Sequence, residues 1–433
     1  MTPAARIAAV TELLEAAFQT PTPVERTVTA YLRRRRFIGA KDRRAIAQLF
    51  YNLLRGLSRL DWWLERCGQA VTPRARVLAH LALGEGMTAA AVAELFAAGG
   101  YGPAPLSASE ATLLQALPPG GLTDAAQPVW VRAECPDWLW PAFEAAFAAA
   151  AEAEAAALIP PAPLDLRVNA LKTTRDEAAA ALAAADVESA PTTLSPWGLR
   201  IHGRPALPQM AAFAEGWFEP QDEASQLAAL LSDARPGQRV LDLCAGAGGK
   251  ALALAAAMGN QGQLLLHDRD EARLARAMPR LQRAGVTIAA ALGADALAVA
   301  TGSFDRVLID APCSGSGAWR RHPDARWRLQ PDDLADRCGE QAALLAQGAA
   351  LTAPGGRLIY ATCSLLPQEN ERQVGMFLAA RHDFAVLPVA RLWAETLAAP
   401  CPVAGEDDCL TLTPAGQGCD GFFVAAMARQ GAA

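Results

Sequence analysis

The sequence predicts three successive parts: an all-helical N-terminal domain, a small α+β segment, and an α/β domain built on a doubly wound parallel sheet. Three observations carry this reading. Apolar residues recur at helical spacing through the first 145 or so residues; Pro160, Pro161 and Pro163 interrupt an alanine-rich run; and from residue 233 onward short apolar runs alternate with amphipathic helical stretches.

In the helical part, residues 1–145, Ile7, Val10, Leu13, Leu14 and Phe18 fall on one helical face. Ile46, Leu49, Phe50, Leu53, Leu54 and Leu57 follow the i, i+3, i+4, i+7 pattern, so both stripes are expected to face a core. The stretch 146–163 reads as a linker, because the helical run "AFAAAAEAEAAAL" ends in "IPPAP", where proline cannot continue a helix. Residues 164–232 mix strand-like runs such as "LDLRVNAL" with a helix near "EASQLAALL". In residues 233–433 the expected strands are "RVLDL", "QLLLH", "VTIAAA", "RVLIDA" and "GRLIYA", with "FAVLP" and "GFFVAAMA" as further strands.

A chain of 433 residues is long enough for two or three domains. Although 52% of it is hydrophobic, no run approaches the roughly 18 apolar residues that span a bilayer, and the first residues lack the form of a signal peptide. A soluble, cytoplasmic protein is expected, without a membrane partner. The nine cysteines are scattered without CxxC pairs or histidine clusters, so reduced thiols are expected, with neither a disulfide framework nor a metal site. The net charge of -6 argues against a protein wrapped in nucleic acid, but it hides local clusters. One runs from Arg33 to Arg59 and includes Arg36, Lys41 and Arg43; another is Arg320, Arg321, Arg326 and Arg328. A solvated face is the simpler account of either. The three lysines, Lys41, Lys172 and Lys250, each sit in a motif-like stretch: "AKDRR", "RVNALK" and "GAGGK".

"VLDLCAGAGGKALALAAAM" runs from a strand through a glycine loop into a helix, and Asp268 stands at the end of the next strand. In a doubly wound sheet the ligand lies over the carboxyl ends of the strands, where glycines let the backbone approach it and an acid grips ribose hydroxyls. The loop is neither GxGxxG nor GxxxxGK[ST], which leaves S-adenosylmethionine as the favoured cofactor, with Asp295 as a candidate contact at the adenine. Asp310 and Cys313 follow the strand "RVLI", and Cys363 follows "RLIY", so their loops rise from the same edge as the cofactor loop. Two thiols and an acid there suit methylation at carbon 5 of a pyrimidine. A thiolate adds to carbon 6, an acid engages N3, and the resulting enamine attacks the sulfonium methyl group. Asp310 fits the acid, and a cation such as Lys250 favours an ionised thiol.

"DAPCSGSG", "TCS", the loop ending in "GGK", "QDEAS" (221–225), "RVN" (167–169) and "DGFFVA" (420–425) together resemble the RsmB/Nol1/NSUN family of RNA 5-methylcytosine methyltransferases. The likeness covers roughly residues 164–427, and the helical N-terminus with "AKDRRAIAQLFYNLLR" resembles the NusB-like RNA-binding domain of bacterial members acting on small-subunit ribosomal RNA. The resemblance implies a Rossmann-like class I methyltransferase domain. It implies Cys363 as nucleophile and Cys313 as the thiol that assists product release. It also implies cofactor contacts from Cys244, Ala245, Gly246, Ala247, Gly248, Gly249, Lys250, Asp268, Asp295 and Asp310. Arg320, Arg321, Arg36 and Arg43 are candidate RNA contacts. Where the family usually reads CAAPGGKT this chain has CAGAGGKA, so a less pre-organised loop is expected. A monomer acting on ribosomal RNA is the leading expectation. A transfer RNA substrate, a non-catalytic RNA-binding or antitermination factor, and a small-molecule methyltransferase are the alternatives, the last two disfavoured by the intact cysteines with Asp310 and by the arginine-rich helical domain.

Overall fold

The computed structural model describes residues 1–19, 22–97, 99–403 and 407–431. The chain divides into two compact units: one of residues Met1–Pro160 together with Trp319–Leu329, the other of Pro161–Ala318 and Gln330–Ala433. The first unit therefore ends beyond the predicted boundary at 145 and takes in a short segment from the middle of the predicted α/β domain.

The first unit is helical. Helix α1 (Pro3–Phe18) starts where the Thr2 side chain accepts a hydrogen bond from the Ala5 amide, a common N-cap. It is followed by α2 (Val24–Arg34), α3 (Ala40–Leu54) and α4 (Leu57–Arg66). The two predicted stripes meet in one core, which contains Ile7, Val10, Leu13, Leu14, Ile46, Phe50, Leu53, Leu54 and Leu57. Leu49 only packs against its margin. Phe18 departs from expectation: as the last residue of α1 it is 40% exposed. The stretch 146–163 is not an open linker, since it contains the short helix Ala151–Ala156 with Ala151, Ala155 and Leu158 buried.

Charged residues also hold this unit together. The Glu134 carboxylate is fully buried; it accepts from the Ser58 and Arg59 amides at 3.0 and 3.1 Å and pairs with the Arg59 guanidinium at 2.8 Å. An anion is thereby placed on the free amides of the first turn of α4, where the helix dipole favours it. Arg326, expected from sequence in an exposed arginine cluster, is 1% exposed. Its guanidinium donates to the carbonyls of Glu134 and Leu158, both at 2.8 Å, and lies over the Trp319 ring. Burial pulls its pKa down to about 10, which still leaves it charged at neutral pH.

In the second unit, strands β1 (Leu164–Val168), β2 (Ser189–Pro191), β3 (Gly198–Ile201) and β4 (Phe218–Pro220) form an antiparallel sheet in the order β2-β3-β1-β4. The helix Arg175–Ala183 contributes Ala178 and Leu182 to the core that covers it. The larger sheet contains β5 (Arg239–Asp242), β6 (Gln263–Leu266), β7 (Ala289–Ala291), β8 (Phe304–Asp310), β9 (Thr352–Thr362), β10 (Phe384–Val386), β11 (Leu410–Leu412) and β12 (Phe422–Arg429). Its order is β10-β12-β9-β8-β5-β6-β7, with β11 on β12. Strands β5 to β9 pair in parallel, and β12 runs antiparallel to β9. This is the Rossmann-like α/β arrangement expected of the domain. From β5 the chain steps outward one way through β6 and β7, then crosses back to β8 on the other side. The switch point lies between β5 and β8, and the crevice over their carboxyl ends is where such sheets bind ligands. No helix among the described residues is long and apolar enough to cross a membrane.

Arg326→Met should strand two buried carbonyls and destabilise the helical unit by about 2–3 kcal/mol. Hydrogen exchange checks this: amides of α4 and of Ala151–Ala156 should lose protection while those of β8 and β9 keep theirs.

Candidate active site

The loop after β5 is shaped by two glycines with left-handed backbone, Gly246 (φ 53°) and Gly248 (φ 79°). A side chain at Gly248 would bring a Cβ to 2.8 Å from that of Ala277, so glycine permits both the turn and the close packing. The Gly246 amide donates to Asp268 Oδ2 at 2.8 Å, and the Asp270 amide donates to Oδ1 at 2.8 Å. Asp268 therefore fastens the loop after β6 to the glycine loop. The helix Gly249–Ala257 begins immediately afterwards. The quoted "RVN" and "QDEAS" motifs buttress it: buried Arg167 donates to the Gly249 carbonyl and to the Gln221 side chain. Asn169 ties down the Gly216 and Ala284 carbonyls, each at 2.9 Å.

Lys250, in the first turn of this helix, is 6% exposed. Its Nζ lies 2.6 Å from Asp310 Oδ2 and 4.9 Å from the centre of the Phe422 ring. Asp310 ends β8 beside β5, in the register that sets Asp242 opposite Leu308. Beneath this pair Asp242 is fully buried, and neither of its oxygens has a hydrogen-bond partner among the described residues. Burial, then the charge of Asp310, pushes its pKa up to about 7 against the opposing pull of Lys250. The Cys244 thiol is pushed up as well, by burial and by Asp242, Asp310 and Asp268.

The two loops that follow β8 and β9 are zipped together. The Gly317 amide donates to the Cys363 carbonyl at 3.0 Å and the Gly421 amide to the Gly317 carbonyl at 2.9 Å. The Leu365 amide donates to Ser316 Oγ at 2.8 Å. A Cβ on Gly317 would lie 2.1 Å from the Gly421 carbonyl oxygen, so this approach requires glycine. The result is a Cys313 Sγ to Cys363 Sγ distance of 3.4 Å. The Cys313 thiol is raised well above its ordinary value, first by this hydrogen bond and then by burial.

A cavity of about 220 Å³ is lined by Asp222, Ser225, Lys250, Asp310, Cys363, Asp420 and Phe422. The structure thus brings together Lys250, Asp310 and Cys363, with Cys313 behind Cys363 and with Cys244, Ala245, Gly246, Ala247, Gly248, Gly249 and Asp268 on the glycine loop and its fastening. Asp295 lies apart from that lining, exposed in the first turn of the helix Ala294–Ala298. Sequence reasoning passed over Asp242, Asp222 and Asp420. Asp242 immediately precedes the glycine loop, and Asp222 and Asp420 lay inside quoted motifs, so each carried a signal. Asp222 caps the helix Glu223–Leu230 through the Ala224 amide and accepts from the Asp420 amide at 3.0 Å, joining two remote motifs at the cavity.

The four arginines named as RNA contacts all belong to the helical unit. Arg36 is exposed; Arg43 is half-buried and donates to the Ile38 carbonyl at 2.7 Å; Arg321 is half-buried. Arg320 is 6% exposed, the most enclosed of the four. A larger hollow of about 480 Å³ lies in the same unit beside Trp62, Trp327 and the Asp61–Arg76 ion pair, but it contains no cysteine and no glycine loop.

Comparison with known proteins adds a family to this geometry. Residues 229–428 match the family described as 16S rRNA methyltransferase RsmB/F, and residues 135–207 match its ferredoxin-like domain. The chain is 36% identical over 300 residues to the probable ribosomal RNA small subunit methyltransferase B of Synechocystis, covering 68% of this chain and 66% of that protein. It is 38% identical over 264 residues to ribosomal RNA small subunit methyltransferase B of Pseudomonas syringae, covering 60% and 59%. The matched stretch thus spans just under two thirds of these relatives. The crystal structure of a methyltransferase homolog protein from Pyrococcus horikoshii has a TM-score of 0.59 at 26% identity, covering 70% of this chain and 97% of that one. That of PH0851 reaches 0.76 over 99% of both chains at 24% identity, a likeness of fold.

Gly317→Ala should force the two cysteine loops apart, lowering stability by about 1–3 kcal/mol, read as a fall in melting temperature. For Asp242 the raised pKa means that the folded ligand-free protein holds a proton that the unfolded chain has released. Stability is therefore lost as pH rises from about 4 to about 7, and Asp242→Asn should remove this loss. Melting temperatures across that window check it: the advantage of the variant should grow from the acid to the neutral end.

Proposed function

The chain belongs to the RsmB/F family of methyltransferases, and on that premise we propose that it transfers a methyl group from S-adenosylmethionine to carbon 5 of a cytosine in RNA, with small-subunit ribosomal RNA as substrate. The observation that carries this is the meeting of two cysteine thiols, a buried lysine and an aspartate at the switch point of the sheet. Such a set has no use in methylation of an oxygen or nitrogen that is already nucleophilic. It is what carbon 5 of a pyrimidine demands.

The site fits a cationic cofactor. Asp310 pairs with the Lys250 ammonium, and Asp242, close enough to feel both charges, is buried with no hydrogen-bond partner for either oxygen among the described residues. A buried acid without a hydrogen-bond partner beside the Lys250–Asp310 pair favours a ligand that brings positive charge. The glycine loop from Cys244 to Lys250 and Asp268 would hold the cofactor, and Asp242 would favour its positive charge. When bound, S-adenosylmethionine supplies an electrophilic methyl group on a sulfonium.

The protein's own residues do the rest. Cys363 Sγ adds to carbon 6 of the target base, and Asp310, sharing the Lys250 ammonium, engages N3 so that the charge formed in the ring is stabilised. The enamine so produced carries its electron density at carbon 5. After transfer a base takes the C5 proton, the electron pair of that C–H bond restores the C5–C6 double bond, and the Cys363–C6 bond breaks with its pair returning to the Cys363 sulfur, a release that Cys313, in contact with Cys363, assists. The target cytosine must leave its stack to reach a cavity of this size, which favours a loop or an unpaired nucleotide. Phe422, in the cavity wall, offers a ring face to the base. The helical unit, with Arg36 exposed, serves as the arm that binds RNA.

Cys363→Ala should abolish tritium transfer from labelled S-adenosylmethionine to ribosomal RNA while leaving cofactor affinity within about twofold, because the sulfur acts on the base and not on the donor. Cys313→Ala should instead accumulate a protein–RNA adduct that survives denaturing electrophoresis. An adduct formed by Cys363→Ala and none by Cys313→Ala would exchange the two roles.

A further inference from the structure

Two consecutive side chains beyond β9 each hold one cysteine loop. Glu369 is fully buried. Its Oε1 accepts from the Ser314 amide at 2.8 Å and from the Gln341 side-chain amide at 3.0 Å, and its Oε2 accepts from Ser314 Oγ at 2.5 Å. The same Gln341 nitrogen donates to the Pro312 carbonyl at 2.9 Å. Residues on both sides of Cys313 thus hang on Glu369 directly or through one amide. Asn370 does the same for the other loop: Oδ1 accepts from Thr362 Oγ1 at 2.6 Å and Nδ2 donates to the Ser364 carbonyl at 2.9 Å, bracketing Cys363. Both holders are neighbours in sequence, and the Tyr360 hydroxyl fixes the Glu369 carbonyl at 2.6 Å.

The two holders differ in charge, and this matters for a pair of thiols in contact. Two sulfurs 3.4 Å apart do not both ionise, because like charges at that distance repel strongly. One of them must be selected. Asn370 is neutral; Glu369 sets a buried carboxylate against the Cys313 segment. We propose that Glu369 is a positioning residue that selects the nucleophile: by fixing Cys313 beside a buried negative charge, it leaves Cys363 as the thiol that ionises. This rests on the reading that Cys363 attacks the base. Cys363 gives its proton to water, while Cys313 keeps its own and points it at Cys363 Sγ as a hydrogen bond. The charge of Glu369 is among the causes that raise the Cys313 thiol. The other titratable groups around the pair are Tyr360 on β9, Cys338 on the helix Pro331–Leu351, and, around the cavity that Cys363 lines, Lys250, Asp310, Asp222 and Asp420.

The test needs no RNA. The full chain is treated with iodoacetamide across the thiol titration range, and initial alkylation rates of the Cys313 and Cys363 peptides are followed by mass spectrometry. In the wild type Cys363 should reach half-maximal reactivity at lower pH than Cys313. In Glu369→Gln, which keeps the size of the side chain and removes its charge, the Cys313 midpoint should fall by about one unit or more. Glu369→Asp keeps the charge and should retain the wild-type order. A Cys313 midpoint unmoved in a folded Glu369→Gln protein overturns the proposal, and so does a wild type in which Cys313 ionises first, a result that needs no variant to fold. If the alkylation order holds but Cys363→Ala still methylates RNA, the role of Glu369 in ionisation stands and the functional reading falls. If Cys363→Ala is inactive and the Glu369→Gln midpoint is unmoved, this inference alone falls.

Discussion

The parallel pairing of β8 and β9 is the constraint on which the site depends. Asp310 stands opposite Ala361 in that ladder, and the Ala311 amide donates to the Ala361 carbonyl at 2.8 Å. Two loops from distant parts of the chain therefore leave the sheet side by side at the same height. Everything later follows from that height: Cys313 and Cys363 in contact, Ser316 and Leu365 bonded, and Gly317 passed so close to Gly421 that neither tolerates a side chain. A shift of one residue in the ladder would turn one of the sulfurs to the opposite face of the sheet.

Around this pair the electrostatics are lopsided by construction. At the floor of the crevice Asp310 is matched by Lys250, while Asp242 is buried with no hydrogen-bond partner among the described residues. Burying an unpaired carboxylate costs folding energy, so a fold that retains Asp242 there holds part of its stability in reserve until a positive ligand arrives. The same logic separates the thiols, since Glu369 crowds one of them while the lysine and the cavity adjoin the other.

Much of this was legible in the residue order. Period-two and period-3.6 patterns placed the strands β5, β6, β8, β9 and β12 within a few residues, because an apolar run bounded by turn formers has few alternatives. The loops carrying Asp310, Cys313 and Cys363 followed from the switch-point rule. Other features were not legible for a shared reason: they arise from contacts between remote segments. Arg326 reads as a surface charge, and its burial comes from carbonyls at 134 and 158 that no local pattern connects to it. Glu369 belongs to no motif singled out from the sequence, and its burial comes from bonds to Ser314 and Gln341, both remote along the chain. Strand β11 was missed because its short "LTL" run carries little periodicity, and β9 begins earlier than expected because Gly355 at φ 77° lets the "APGG" stretch stay within the strand.

The segment Trp319–Leu329 has a consequence for how the two units can be taken apart. The chain leaves the catalytic unit after Ala318, inserts Trp319 and Arg326 into the helical unit, and returns at Gln330. A cut near Pro160 therefore does not yield two self-sufficient pieces. The N-terminal fragment would lack an indole and a guanidinium that plug its interior, and the C-terminal fragment would carry them as an orphaned flap just beyond the Cys313 loop. Gene fusion, domain exchange or limited proteolysis thus meets an obligate partnership where a linear map of the chain would draw a seam.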